Sequence, residues 1–355
     1  MLLISKRTIP FIALLLFSVA CSTASPIIVT TEQTVNTPVV PTLEQPSAIS
    51  LPTQESSSIP TEIPIPTETQ TPAATPLPIA GNGVIVFGSN RDGDFMNIYM
   101  FNPSDGTVTR LTMGDTNTFP GPFSPTGTQL LFTGFGLTNS FVGMMNADGT
   151  NPVDLSERPN TDEGFPTWSP DGQQIAFTSR MDGNNEIYIM DADGTNVRRI
   201  TNNPADDFAP AWSPDGTQIA FVSDRDNPTG VNNLYLMNVD GSDVVRLTNG
   251  NEIDYGPAWS PHGKQIAFRA DVDGNGDVYM INADGSGRVN LTNNPASDWA
   301  PAWSVEGSLI AFQTNRDGNW EIYVMRSDGS EPTNLTQDPA DDQIPYWKPL
   351  ASGTS

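Results

Sequence analysis

The sequence predicts an all-β fold: a six-bladed β-propeller of four-stranded antiparallel blades, with the C-terminal strand joining the N-terminal blade to close the ring. Three observations predict it. First, one segment recurs from residue 81 onward. It reads PGPFSPTGTQLLFTG at 120–134, PTWSPDGQQIAFTSR at 166–180, PAWSPDGTQIAFVSDR at 210–225, PAWSPHGKQIAFRA at 257–270 and PAWSVEGSLIAFQTNR at 301–316. Second, its aromatic residue returns at Phe123, Trp168, Trp212, Trp259, Trp303 and Trp347, every 44 to 47 residues. That period fits one four-stranded blade. Third, the unit beginning at Gly81 lacks its inner strand, and a surplus inner strand stands at Ile344–Trp347.

Each unit carries four short strands. The innermost surrounds Pro-x-Trp-Ser. Pro-Asp-Gly then turns the chain, proline presetting φ and glycine supplying positive φ. The second strand is Ile-Ala-Phe, at Val84–Phe87, Leu130–Phe132, Ile175–Phe177, Ile219–Phe221, Ile266–Phe268 and Ile310–Phe312. The third is Ile-Tyr-x-Met, as in Ile187-Tyr188-Ile189-Met190, and Ala-Asp-Gly-Thr/Ser makes the next hairpin. The fourth ends in Leu-Thr, as at Arg246-Leu247-Thr248. One such sheet cannot bury both faces alone, so the blades stack around an axis. Placing the C-terminal strand in the first blade pairs every inner strand and removes a free edge.

The linked pattern W-S-P-D-G-x-x-I-A-F-x-S-x-R, then I-Y-x-M-x-A-D-G-S/T, then L-T, resembles the TolB-type family of WD-like propeller repeats. The resemblance covers Gly81 to Leu350. That family also supplies propellers beside hydrolase domains of the prolyl-oligopeptidase kind. No Gly-x-Ser-x-Gly elbow of such a hydrolase occurs here. Where TolB has an α/β domain ahead of the propeller, this sequence has a different N-terminal region.

That region divides in two. Residues 1–20 read as a lipoprotein signal peptide: Lys6 and Arg7 precede an apolar run from Ile9 to Ala20. Ser18-Val19-Ala20-Cys21 resembles a bacterial lipobox, which implies lipidation of Cys21 and an exported protein, held to a membrane by lipid at the cell surface or in the periplasm. Residues 21–80 are rich in Pro, Thr, Ser, Glu and Gln. Frequent proline removes backbone donors, so this stretch is expected to be a disordered, extended tether. At about 3.1 Å per residue it would reach on the order of 150 Å. The propeller is assigned to 81–350 and a short tail to 351–355.

Charge and composition narrow the function. A net charge of −25 argues against nucleic acid, and leaves the lipid as the means of membrane contact. With one cysteine there is no intrachain disulfide, and the single histidine, His262, excludes multi-histidine metal sites. His262 lies where sister blades have Asp171 and Asp215, so it reads as a turn residue.

Two acidic constellations remain. Asp271, Asp273, Asn275 and Asp277 alternate around glycines in the manner of a calcium loop. Sister loops share much of this pattern as hairpin chemistry, but only this one has Asp271-Val272 where the last blade has Asn315-Arg316. A calcium ion is therefore a possible cofactor, standing in for the missing guanidinium. The second constellation is a ring, three residues before each inner-strand proline: Asn117, Glu163, Asp207, Asp254, Asp298 and Asp342. Phe208, Tyr255 and Trp299 follow three of them. The ring is expected to crowd the channel mouth and attract a protein or cationic ligand, with Arg91, Arg180, Arg225 and Arg316 near enough to neutralise it. The expected function is a binding or scaffold protein of the cell envelope, with no catalytic residues. The alternatives are a carbohydrate-active or other hydrolase or lyase using channel carboxylates, and a purely structural envelope protein. Near-sixfold repetition of the ring favours binding, since a catalytic site needs residues found in one or two blades.

Overall fold

The computed structural model describes residues 83–349, apart from 157–160, 227–229 and 273. The signal peptide, Cys21, the tether, Asp273 and the tail lie outside the described residues. Among the described residues there are six antiparallel sheets of four strands and no helix, hence none long and apolar enough to cross a membrane.

The inner strands of blades two to six are Thr118–Phe123, Glu163–Trp168, Asp207–Trp212, Ile253–Trp259 and Asp298–Trp303. Blade one takes Asp342–Trp347 as its inner strand, paired antiparallel with Ile85–Ser89 through Ile85↔Trp347 and Ser89↔Asp342. The ring therefore closes as the repeat count requires. The second strands run Ile85–Ser89, Gln129–Phe135, Gln174–Ser179, Gln218–Ser223, Gln265–Val272 and Leu309–Thr314.

Second-strand phenylalanines fill the layer between blades. Phe87, Phe177, Phe221, Phe268 and Phe312 are fully buried. Each stands within 6.2 Å, ring to ring, of the third-strand tyrosine beside it. The inner-strand tryptophans tie neighbouring blades: indole Nε1 of Trp259, Trp303 and Trp347 donates to the carbonyls of Ala211, Ala258 and Ala302, each at 3.1 Å. At the Ser-Pro-Asp-Gly turns the serine hydroxyl donates to the aspartate, as Ser169 to Asp171 at 2.6 Å, and accepts the amide of Gln174 at 2.9 Å. His262 occupies the aspartate place in its turn, beside Gly263 at φ +67°.

Each inner strand is bulged. Its register against the second strand shifts between the residue after the ring position and the one before the aromatic, except in blade two, where the shift lies between Pro120 and Phe123. Phe165, Ala209, Ala300 and Ile344 sit in these bulges at φ +49° to +56°, and blade five has Gly256 there at φ +56°. Left-handed backbone at non-glycine residues is costly, so its repetition reflects sheet packing that forces the kink. The bulge reverses side-chain facing along the strand, which decides what enters the channel.

Candidate functional site

The six inner strands enclose an axial cavity of about 320 Å³. Its wall is made of the bulge prolines and alanines with Phe119, Phe208, Tyr255 and Trp299; the charged residue on it is Arg269. Among the described residues no Asp, Glu, His, Cys or Ser lines it. The expected mouth of carboxylates is corrected accordingly: Glu163, Asp207, Asp254, Asp298 and Asp342 are each at most 1% exposed. The physical reason is register. Each is directly opposite a second-strand residue, as Asp207↔Ser223 and Asp298↔Thr314. The side chain turns into the blade, and the next residue, beyond that pair, turns to the channel.

In three blades an arginine of the second-to-third loop meets the buried acid. Arg225 Nη2 donates to Asp207 at 2.7 Å, Arg316 Nη2 to Asp298 at 3.1 Å, and Arg91 Nη2 to both oxygens of Asp342 at 3.0 and 2.8 Å. Each guanidinium also lies over its blade's Phe and Tyr rings, Arg225 at 5.0 Å from Phe221 and 5.1 Å from Tyr235. Burial still pushes the carboxyls of Asp207 and Asp342 above their ordinary range. The crossover loops are braced by the same acids: Asn203 Nδ2 donates to Asp207 at 2.7 Å and Asn294 Nδ2 to Asp298 at 2.5 Å. Such ion pairs fix loop geometry more than they add net stability.

Blades two, three and five depart from this pattern; in blade three Met181 stands at the position of Arg225. Blade two carries two inner-strand prolines, and counting from Pro120 selects Asn117. The pairing Thr118↔Gly134 places Thr118, not Asn117, at the ring position. Asn117 lies one step earlier, its Oδ1 accepting the Met96 amide at 2.8 Å as Asp206 accepts that of Asn185. In blade five Val272 stands where the arginine is expected, and the guanidinium arrives from elsewhere. Arg288, in the third-to-fourth hairpin, lies over Phe268 at 5.7 Å and Tyr279 at 4.7 Å. It approaches Asp254 only to 3.9 Å, and burial raises the Asp254 pKa to about 6.

Of the expected calcium loop, Asp273 lies outside the described residues, and the other three do not share one face. Register pairs Val272↔Asn275, Asp271↔Gly276 and Ala270↔Asp277. Successive strand residues face opposite sides, so Asp271 lies on the other face from Asn275 and Asp277. Their partners confirm it: Asp271 accepts Arg269 at 2.8 Å, Asn275 donates to the Asn294 carbonyl at 2.7 Å, and Asp277 accepts Asn290 and Thr292 at 2.9 and 3.1 Å. Among the described residues no three His, Cys, Asp or Glu gather as metal ligands.

Phe208, Tyr255 and Trp299 do come together on the channel wall, with ring centroids 6.0 Å apart for Phe208–Tyr255 and 6.1 Å for Tyr255–Trp299. Sequence reasoning missed Arg269, which covers the Trp299 ring at 3.5 Å. Aligning the repeats does reveal it, since sister blades carry Gly88, Thr133, Thr178, Val222 and Gln313 there. It also missed three exposed apolar side chains in loops on the face of the crossovers. Leu137 is 96% exposed, Met113 84% and Phe95 42%, in loops of blades one and two. Asn117 and Asn97 tie these loops together: Asn117 holds the Met96 and Phe135 amides, and Asn97 Oδ1 holds that of Gly114.

Comparison with known proteins agrees with this architecture. A family model described as the TolB beta propeller domain matches residues 123–229. TolB from Acinetobacter baumannii is similar in structure at 22% identity and TM-score 0.64, covering 76% of this chain and 67% of that one. A putative TolB from Agrobacterium tumefaciens is similar at 22% identity and TM-score 0.58, over 75% of this chain and 90% of that one. Puromycin hydrolase is similar at 16% identity and TM-score 0.52, over 71% of this chain and 45% of that one. No curated protein sequence matches significantly. The repeats and the six closed sheets show a β-propeller fold, within which residues 123–229 match the TolB beta propeller domain model.

Proposed function

We propose that this chain is an exported, lipid-anchored scaffold whose propeller docks a protein partner on the face of the blade crossovers. The carrying observation is the patch of Leu137, Met113 and Phe95, three large apolar side chains held out in adjacent loops. Large apolar side chains gathered on exposed loops mark interaction sites. Elsewhere on that face, ion pairs such as Arg225–Asp207 and Arg316–Asp298 hold the crossovers rigid, which lowers the ordering cost of docking. Binding is favoured over carboxylate catalysis because the ring acids are buried and, among the described residues, no carboxylate lines the channel. Lipidation at Cys21 and the 21–80 tether would let the propeller reach partners away from the membrane.

The test is chemical crosslinking of the full-length protein in its native envelope, beside a variant carrying Leu137→Asp and Met113→Asp. Both side chains are exposed, so the fold is expected to persist. Loss of the crosslinked partner supports the reading. An unchanged partner set from a folded, correctly exported variant overturns it.

A further inference from the structure

We propose that the axial channel binds a carboxylate carried on a planar apolar body, with Arg269 as the anchor. This inference stands apart from the docking patch, which belongs to blades one and two, whereas Arg269 belongs to blade five.

Arg269 is a cation built into an apolar wall. It is 5% exposed and lies flat on Trp299 at 3.5 Å, with Tyr255 at 5.5 Å. A glycine admits it: a Cβ on Gly276 would stand 2.4 Å from its Nε. Sister blades have Asn185, Asn232 and Trp320 at the Gly276 position. Nη2 donates to Asp271 at 2.8 Å, while Nε is buried with no acceptor among the described residues. Trp299 Nε1 lacks one as well.

The contrast with sister blades sets the ligand's chemistry. Thr178 and Gln313 hold the position of Arg269 and accept amide protons of the following inner strand, from Ala209 at 3.0 Å and Ile344 at 2.8 Å. Arg269 brings donors only. This corner of the channel thus gathers N–H groups and a positive charge against one acceptor, Asp271, which is itself 25% exposed on its side chain. A carboxylate offers two coplanar acceptors matched to a guanidinium. The row Phe208, Tyr255 and Trp299 beside Pro257 and Pro301 suits a flat apolar body, and about 320 Å³ suits a small one. The chain's net charge of −25 does not forbid an anion there, because exposed charges are screened beyond about 8 Å in physiological salt.

The experiment is calorimetric titration of the full-length protein with N-acetyl-tryptophanate and with its uncharged amide. The acid is expected to bind at least about tenfold more tightly than the amide, and Arg269→Gln to erase that preference. Asp271→Asn frees the guanidinium from its carboxylate and is expected to tighten the acid severalfold while leaving the amide unchanged. Arg269 is buried, so Trp299→Phe supplies an arm that keeps the ring and deletes one donor; acid binding weakens severalfold at an unchanged Tm. A short peptide ending in tryptophan, with free or amidated C-terminus, separates a protein tail from a free acid as the source of the carboxylate. Preference for the free terminus, stronger than for N-acetyl-tryptophanate, assigns the site to tails; weaker binding assigns it to free acids. Equal affinity for acid and amide, no binding of either, or an Asp271→Asn variant that leaves the acid unaffected overturns the proposal.

Discussion

Asp254 and Asp207 occupy the same place in neighbouring blades, yet replacing each by asparagine is expected to move stability in opposite directions. Asp207 accepts Arg225 and Asn203, both at 2.7 Å. The nearest guanidinium nitrogen to Asp254 belongs to Arg288 at 3.9 Å, and Oδ1 is without a hydrogen-bond partner in both residues. At an effective dielectric of about 20, Coulomb attraction is about 6 kcal/mol at the first distance and about 4 kcal/mol at the second. A charge-assisted hydrogen bond adds about 1.5–3 kcal/mol at Asp207. Burial raises both carboxyls, but Asp207 keeps a direct charge-assisted hydrogen bond to Arg225 that Asp254 lacks. In the unfolded chain Asp254 loses its proton near 3.8; in the folded domain it does so at about 6. Between those values the folded state binds more proton, so stability falls as pH rises, by about 1.4 kcal/mol per unit and about 3 kcal/mol by neutrality.

Asp254→Asn keeps an acceptor for the Thr248 hydroxyl, now at 2.5 Å from Oδ2, and carries no charge. After loss of the long Arg288 attraction, the expected gain at pH 7.5 is about 1–2 kcal/mol, or about 2–6 °C in Tm. At pH 4.5 the wild-type carboxyl is protonated and the gain vanishes. Asp207→Asn leaves Arg225 without its anion and is expected to cost about 3 kcal/mol at pH 7.5. Thermal melts of the three proteins from pH 4.5 to 8.5 decide the matter. An Asp254→Asn protein that melts below wild type at pH 7.5 would refute the reasoning.

Two further outcomes are expected. Deleting residues 342–349 removes the inner strand of blade one with buried Trp347 and the partner of Arg91; cooperative unfolding by circular dichroism should be lost, since closure failure exceeds the total stability of about 5–15 kcal/mol, and a Tm within a few degrees of wild type would disprove closure. Cys21→Ser should move the protein from the membrane to the soluble fraction on cell fractionation, and an unchanged membrane fraction would rule out lipid anchoring there.

What the sequence by itself determined about this protein is its repeating frame. Blade number, strand order, the Trp and Phe layers and the C-terminal closing strand were all legible, because each rests on local signals repeated at one period: a turn of fixed chemistry, an alternating strand, an aromatic at its end. The tertiary structure alone decided which way side chains face. The inner-strand bulge, at Ala209, Ala300 and their counterparts, turns the ring acids into the blades and the residues after them into the channel. Two prolines in blade two hid the register that puts Thr118, not Asn117, in the ring. The arginine absent at Val272 is replaced by Arg288, sixteen positions along the chain and across the sheet. Pairing across strands, not spacing along the chain, separates Asp271 from Asn275 and Asp277. Facing and partnership depend on register and on the neighbouring blade, and a period of 44 to 47 residues carries no information about either.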